Sequence, residues 1–315
     1  MKILIFGAGV IGTTYAWQLQ ESGADVTLFV RKLRMVRYNH SGVAINYSDM
    51  RRGKDDVGHT VYRPKAIDRL DPKRPFDLII VTVRSDQYAD VIPYIAKYSG
   101  DAHILFLGNC WDEMKPAAKH LPRGRCFFGF PGEVLGGPIE NGISCYLINK
   151  GHTVLGESGG GLSERLKETA RLLESAGFRP LISEQVHDWL AHHYVLSAIL
   201  PGLISKAGSA RLLASSKTLI RQYIMCLKEG QKLCRKKGHA KVSLFPFKHL
   251  IFPDFILAGM IRKKMGQEVQ AALDAHMKYG AGEKKKQYFD VLKTGKELKL
   301  PMPYWASFEK YMDFS

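Results

Sequence analysis

The sequence predicts an α/β protein in which a doubly wound, mostly parallel sheet precedes an all-helical region. Short apolar runs alternate with amphipathic stretches in the first half, and a glycine-rich turn joins the first apolar run to the first helix. From residue 183 onward nearly every stretch has helical periodicity. For a chain of 315 residues we therefore predict two domains, 1–182 and 183–315.

The first 31 residues have the pattern of a β-α-β unit. Residues 2–6 form a short apolar run typical of a buried strand, residues 13–22 have helical spacing, and residues 25–30 form a second buried strand. Gly23 is placed to end the helix between the two strands.

Later runs continue the alternation. Strong strand patterns lie at 77–83 and 103–107, with a helical stretch at 85–97 between them. Further strand patterns occur at 44–47, 60–62, 127–130, 144–149 and 153–155. The longer helices are predicted over 162–176, 187–205, 212–237, 255–279 and 284–298.

The composition is that of a globular protein with an excess of positive charge. Lys and Arg number 46 against 30 Asp and Glu, a net charge of +16. Residues 181–315 carry 22 Lys and Arg against 11 Asp and Glu, so most of the excess lies in the second half. Such a field favours anionic ligands. The basic runs are short and scattered, and we predict no specific nucleic-acid partner.

No stretch of the sequence predicts a membrane span or a metal site. The apolar stretch at 245–261 is interrupted by prolines and charges, whereas a span needs about 20 mostly uncharged residues. The five cysteines form no CxxC pair and no zinc-like spacing. We therefore expect a cytoplasmic protein with reduced thiols, without a membrane partner and without a bound metal.

A Gly-x-Gly-x-x-Gly motif lies between the first strand and the first helix. Gly7 allows a tight turn, Gly9 lets the backbone approach a pyrophosphate, and Gly12 lets the helix pack against the strand. The helix N-terminus, with Val10 and Ile11, offers N–H groups and the positive end of its dipole to phosphates. In this context the motif predicts a Rossmann-type dinucleotide-binding domain.

The end of the second strand predicts which dinucleotide is bound. NAD sites usually carry an acidic residue there, but this chain has Arg31, Lys32 and Arg34. A guanidinium matches a ribose 2′-phosphate with a planar pair of donors, and Arg31 is nearest to the strand end. We therefore predict NADP(H), with Lys32 or Arg34 assisting. The alternative is that these are solvent-exposed loop charges.

Four segments together resemble the ketopantoate reductase (2-dehydropantoate 2-reductase) family. They are the glycine-rich opening at 2–12, Arg31, the run Val-Thr-Val-Arg-Ser-Asp-Gln at 81–87, and Leu-Phe-Leu-Gly-Asn at 105–109. Order and spacing match across roughly residues 1–110, and the remainder matches more loosely. The resemblance implies an NADP-dependent reductase acting on a 2-oxo acid or a related ketone.

The resemblance also implies roles for residues of the first domain. The three glycines fall on the family's phosphate-binding glycines, and Arg31 falls on its 2′-phosphate arginine. Arg84 stands where the family has a lysine, and Gln87 is retained. Asn109 falls on the asparagine that contacts cofactor and substrate in the family.

The substrate residues of the family are replaced in the second domain. Anchoring the comparison on Leu200 and Pro201 puts His192 at the family's lysine general acid. Leu196 and Leu200 then stand where the family has two asparagines, and Glu283 is the nearest match to its downstream glutamate. The resemblance therefore implies a more apolar pocket, suited to a bulkier or more hydrophobic oxo substrate than ketopantoate.

His192 is the predicted proton donor. An imidazole with a pKa near 6.5 suits proton transfer at neutral pH, and Asp188, one turn earlier, is spaced to orient its ring. The alternative is that His192 is an ordinary polar residue. Asp188 and His192 alone are too few ligands for a metal.

Two functions follow from these patterns. The first is a reductase in which His192, Asn109 and Glu283 are catalytic and the partner is a small anionic or ketone substrate, with homodimer formation left open. The second is a catalytically silent NADPH-binding sensor or regulatory protein on the same scaffold, because the family's lysine and asparagines are replaced.

Overall fold

The fold is described by a computed structural model that covers residues 1–53, 55–112, 119–121, 124–149, 151–241, 243–277 and 279–313. These residues form two compact units, Met1–Val186 and His187–Ser315. The cofactor and substrate roles assigned to domains 1–182 and 183–315 stay predictions.

The first unit contains strands and helices in alternation. The helices are α1 (Val10–Glu21), α2 (Lys32–His40), α3 (Tyr88–Tyr98) and α4 (Glu164–Ser175). The strands are β1 (Lys2–Phe6), β2 (Asp25–Phe29), β3 (Val43–Asp49), β4 (Asp56–Tyr62), β5 (Lys65–Ile67), β6 (Leu78–Val81), β7 (His103–Leu107), β8 (Cys126–Pro131), β9 (Val134–Ile139), β10 (Gly142–Leu147), β11 (Thr153–Gly156) and β12 (Pro180–Ile182).

Eight of these strands form one sheet in the order β12-β11-β8-β7-β6-β1-β2-β5. Neighbouring strands are parallel except β8 and β11, which are antiparallel. All four residues of β6 are buried, as expected for a central strand covered on both faces. The predicted doubly wound, mostly parallel sheet is confirmed.

A second sheet, which the sequence does not predict, has the order β4-β3-β10-β9. Its central pair joins β3 to β10 in parallel, with Ile45 opposite Ile143. Helix α1 contacts strands of both sheets. The buried side chains of Tyr15, Ala16 and Leu19 therefore belong to one continuous core with both sheets.

The second unit is built from helices in the described residues, as predicted. They are α5 (Val186–Ala207, whose first residue belongs to the first unit), α6 (Ala210–Ser215), α7 (Lys217–Lys236), α8 (Asp254–Lys264), α9 (Gln267–Met277), α10 (Ala281–Glu297) and α11 (Pro303–Ala306).

Two of the predicted helices are interrupted. The helix predicted over 212–237 is divided at Ser216, whose hydroxyl accepts from the Leu219 N–H at 3.2 Å and begins α7. The helix predicted over 255–279 is divided at Met265 and Gly266, and its residue 278 lies outside the described residues. Within the described ranges, no helix has the length and apolar character needed to cross a membrane.

Candidate functional site

The glycine turn follows β1 and opens directly into α1. Gly7 has a φ of +127°, a backbone conformation that side chains other than glycine rarely adopt. Gly9 is the N-cap residue, and its carbonyl accepts the Thr13 N–H at 2.9 Å. No side chain caps the start of α1, so the N–H groups of its first turn remain available to a ligand.

Gly9 and Gly12 have different surroundings. A Cβ atom built on Gly9 meets no heavy atom within 4 Å, so the backbone there faces open space. A Cβ atom on Gly12 would lie 1.8 Å from the Gly7 carbonyl oxygen, so only glycine fits at this position. Gly12 is therefore required where the helix packs closely on the turn, whereas the backbone at Gly9 faces open space.

Thr82 supports the turn from the neighbouring strand. It follows β6 directly, and its hydroxyl donates to the Gly7 carbonyl oxygen at 2.9 Å. Thr82 is not among the site residues that the sequence predicts, although it belongs to the quoted 81–87 segment. The signal that could have identified Thr82 is its position directly after β6, the buried strand that pairs with β1.

Basic residues border the turn at the end of β2. Arg31 and Lys32 are exposed, and no acidic residue lies in the first turn of α2. Arg34 reaches back, and its Nη1 atom donates to the Ala8 carbonyl oxygen at 3.3 Å. The structure thus brings Arg34, which the sequence offers only as an assisting residue, against the glycine turn.

The other predicted cofactor residues follow β6, which pairs with β1, and β7, which pairs with β6. Because carboxyl ends of parallel strands meet at one sheet edge, Arg84 and Asn109 share this edge with the glycine turn. Arg84 forms a bidentate pair with Asp86, with Nε–Oδ1 and Nη2–Oδ2 distances of 3.1 and 3.0 Å. Gln87 and Asn109 are half-buried.

His192 lies within α5 and is 0% exposed. Its Nδ1 atom is 2.7 Å from the Asp188 carbonyl oxygen, and its ring meets Phe247 edge-on at 4.9 Å between centroids. Nε2 is buried and has no hydrogen-bond partner in the part of the chain that the structure describes. Burial lowers the pKa of His192 below its ordinary 6.5. The hydrogen bond to the Asp188 carbonyl and the charge of Asp188 act in the opposite direction but are outweighed.

Asp188 orients His192 through its backbone rather than through its carboxylate. The carboxylate instead lies 3.1 Å from His239 Nδ1 and accepts the Lys241 N–H at 2.8 Å. The expectation that the Asp188 side chain orients the ring is therefore wrong. Since a carbonyl oxygen only accepts, Nδ1 carries the proton of neutral His192 and Nε2 presents a lone pair.

Helix α10 carries Glu283 next to a buried lysine. Glu283 accepts from the Gln287 amide at 3.3 Å. The Lys284 ammonium donates to the carbonyl oxygens of His276, at 2.6 Å, and Tyr279. Burial lowers the pKa of Lys284 to about 8. The hydrogen bonds to His276 and Tyr279 give Lys284 a structural role at the end of α9.

The remaining predicted positions in the second unit are less polar. Leu196 and Leu200 are half-buried on α5, the helix of His192.

No group of three or more His, Cys, Asp or Glu residues suited to a metal occurs among the described residues.

The parallel sheet with a glycine turn at the carboxyl end of β1 defines the Rossmann-type class of dinucleotide-binding folds. Residues 3–158 match the family model described as ketopantoate reductase PanE/ApbA. This segment is therefore similar to the ketopantoate reductase family, and the resemblance stated from the sequence is confirmed.

Two curated relatives are similar over most of the chain. The 2-dehydropantoate 2-reductase of Pyrococcus abyssi is 25% identical over 247 residues, covering 76% of this chain and 75% of the relative. The enzyme of the same name from Pyrococcus horikoshii is 26% identical over 259 residues, covering 80% and 79%.

Solved structures share the fold over almost the full length. The ternary structure of D-mandelate dehydrogenase with NADH and anilino(oxo)acetate has a TM-score of 0.77, with 17% identity and coverage of 99% of this chain and 97% of the other. The structure of 2-dehydropantoate 2-reductase from Geobacter metallireducens GS-15 has a TM-score of 0.71, 17% identity and coverage of 99% of both chains.

Proposed function

We propose that the protein is an NADPH-dependent reductase of a 2-oxo acid or a related ketone. The observation that carries the proposal is the open backbone at Gly9, beside an uncapped helix N-terminus, in a segment similar to the ketopantoate reductase family. The names of the two Pyrococcus relatives support the same reaction class.

The residues around the glycine turn fit a phosphorylated dinucleotide. The turn and the first N–H groups of α1 would hold the pyrophosphate. Arg31, Lys32 and Arg34 would hold the 2′-phosphate, and the absence of a carboxylate among residues 30–34 removes the group that discriminates against it. When bound, the nicotinamide supplies the hydride.

Residues at the carboxyl ends of β6 and β7 would complete this binding site. Arg84 and Gln87 follow β6 and are proposed to contact the cofactor, as their positions in the family motif suggest. Asn109 follows β7 and is proposed to contact both cofactor and substrate. Val10 and Ile11 would contribute first-turn N–H groups beside Gly9.

His192 is proposed to exchange a proton with the substrate oxygen through Nε2. Because Nδ1 is held by the Asp188 carbonyl, His192 can donate from Nε2 only when the ring carries both protons. Burial disfavours that doubly protonated form. Reduction therefore draws on the fraction of His192 that carries both protons, and the neutral ring would accept the proton in the reverse oxidation of a 2-hydroxy acid.

The substrate is proposed to be more apolar than ketopantoate, and Glu283 is proposed to contact it. Leu196 and Leu200 replace two amides that could hydrogen-bond a polar substrate, and a leucine side chain cannot satisfy a buried hydroxyl. An oxo acid with an aliphatic or aromatic tail therefore suits these positions better than a hydroxylated one.

The second candidate function is a cofactor-binding sensor without turnover. It is favoured by the complete burial of His192, whose Nε2 contacts no polar group of the described residues. Tight NADPH binding with no oxidation of NADPH by any oxo acid would support it over the reductase.

Titration of the purified protein with NADPH and NADH, followed by NADPH oxidation with a panel of 2-oxo acids, tests the proposal. We expect Arg31→Gln to weaken NADPH binding about tenfold and to leave NADH binding nearly unchanged, because one charge-assisted contact is lost. Arg69→Gln, an exposed arginine of the same unit, is the control. Equal affinity for both dinucleotides in the unmodified protein would overturn the assignment to NADPH.

A further inference from the structure

A cavity of about 810 Å³ lies within the helical unit and is open to solvent. Its volume falls in the range of sites for small molecules. Helices α6, α8 and α9 contribute to its lining, and no residue predicted for the cofactor or for proton transfer is among the lining residues. Its polar lining side chains are Arg211, Ser215, Arg262, Gln267, Gln270 and Asp274.

Two arginines give the cavity its capacity to bind an anion. The Arg262 Nε atom donates to the Ala214 carbonyl oxygen at 3.0 Å, which holds the guanidinium at the end of α6. Arg211 is exposed on α6 and makes no hydrogen bond or ion pair with any residue that the structure describes. One guanidinium is thus held in position and the other is free to turn toward a ligand.

Most other polar groups of the lining already form hydrogen bonds within the fold. Asp274 accepts the Ala210 N–H at 2.7 Å, and the Gln270 amide donates to the Met265 carbonyl oxygen at 2.5 Å. The Ser215 hydroxyl donates to the Leu212 carbonyl oxygen at 2.9 Å. Asp274 is therefore a fixed negative charge that partly offsets the two arginines, and the lining keeps a net positive charge.

We propose that this cavity binds a small polar molecule through an oxyanion group, a carboxylate or a phosphate, held by Arg211 and Arg262. Guanidinium groups match both oxyanions with paired donors, and charge-assisted hydrogen bonds are the strongest that such a surface can offer. The site is independent of the proposed dinucleotide site, because it is built wholly from helices of the second unit.

Calorimetric titration of the full chain at low salt, with inorganic phosphate in one arm and malonate in the other, tests this site. Excess NADPH is present in a parallel set, so that an anion bound at the dinucleotide site is displaced. We expect saturable binding that persists with NADPH, and the tighter of the two anions identifies the oxyanion class. Absence of binding by both anions, or its loss with NADPH, would overturn the proposal.

Variants then localise the bound anion. Arg211→Gln and Arg262→Gln should each weaken binding about tenfold, whereas Arg221→Gln, an exposed arginine of α7, should leave it unchanged. Arg211 makes no hydrogen bond or ion pair with the described residues, so Arg211→Gln remains informative if Arg262→Gln unfolds.

A variant that removes the negative charge of the lining completes the test. Asp274→Asn keeps an oxygen for the Ala210 N–H and removes the negative charge, so it should tighten anion binding severalfold. Unchanged binding in Arg211→Gln, or weaker binding in Asp274→Asn, would contradict a site at this cavity.

Discussion

The Thr82 hydroxyl donates to the carbonyl oxygen of Gly7 at 2.9 Å, and this hydrogen bond joins the end of β6 to the glycine turn after β1. The same carbonyl oxygen lies where a side chain on Gly12 would have to go. The Gly7 carbonyl oxygen is therefore held by the Thr82 hydroxyl and closely approached by α1 at Gly12. This arrangement fixes the direction in which the turn presents its backbone.

Thr82→Val should weaken NADPH binding about fivefold, because one hydrogen bond that positions the turn is lost. Thr82→Ser keeps the hydroxyl and should bind NADPH nearly as well as the unmodified protein. Fluorescence titration of NADPH measures both effects, with thermal melting as a check on folding. Equal affinity in all three proteins would show that the turn does not depend on this hydroxyl.

Gly9→Ala should leave folding intact and reduce NADPH affinity at least tenfold. The added methyl group meets no protein atom within 4 Å, but it would project into the space proposed for the pyrophosphate. Gly159→Ala, which also meets nothing within 4 Å, is the matched control and should bind NADPH normally. Loss of NADPH affinity in both variants, or in neither, would contradict the proposed position of the pyrophosphate.

The rate of 2-oxo acid reduction should fall as pH rises, and the rate of 2-hydroxy acid oxidation should rise. Reduction needs His192 protonated at Nε2, and this form becomes rarer as pH rises above the pKa of His192. Burial lowers that pKa below 6.5. Steady-state kcat/KM in both directions across pH measures the effect.

A His192→Gln variant separates this role from a structural one. The variant should lose most of the turnover and its pH dependence while keeping its NADPH affinity. A variant that keeps both turnover and the pH profile would exclude His192 as the proton carrier.

The ion pair between Arg165 and Glu157 should stabilise the first unit more than a neighbouring surface pair does. Both side chains are about nine-tenths buried. Burial by itself would raise the pKa of Glu157, but the hydrogen bonds from Arg165 and Ser163 outweigh it and lower the pKa. Arg165→Met leaves this carboxylate without its charged partner and should cost about 2–4 kcal/mol in free energy of unfolding.

Lys167→Met is the control for this pair, since Lys167 pairs with the exposed Glu164 on the same helix and should cost at most about 0.5 kcal/mol. Chemical denaturation at neutral pH measures both variants. The difference between Arg165→Met and the unmodified protein should shrink as pH falls through the lowered pKa of Glu157, because below that pKa the carboxyl group is protonated and uncharged in both proteins. Equal destabilisation by both variants would contradict this ranking.

The main sheet was predictable because its central strands are continuous apolar runs, such as β6 and β7. Strand β9 was not predicted, because its Gly136, Gly137 and Pro138 lack the alternation typical of strands. The second sheet was also missed, because its β3–β10 pairing joins segments that lie far apart in sequence, and local periodicity cannot show such a contact.

For the candidate site, the sequence predicts where the residues lie along the strands and helices better than it predicts which atoms they contact. The glycine turn follows from spacing, since each glycine meets a local steric requirement. The contact of Arg34 with the Ala8 carbonyl depends on where α2 begins, which the sequence does not fix. The orientation of His192 depends on a backbone carbonyl, and residue types alone carry no signal for that partner.

The antiparallel pairing of β8 with β11 also affects how the protein is made. A nascent chain that has emerged from the ribosome only as far as residue 131 leaves one side of β8 without its partner strand. An unpaired, largely buried strand of this kind is prone to associate with other chains. A fragment expressed to obtain the first unit alone should therefore include β12, since a shorter fragment would expose the backbone of β8 or β11.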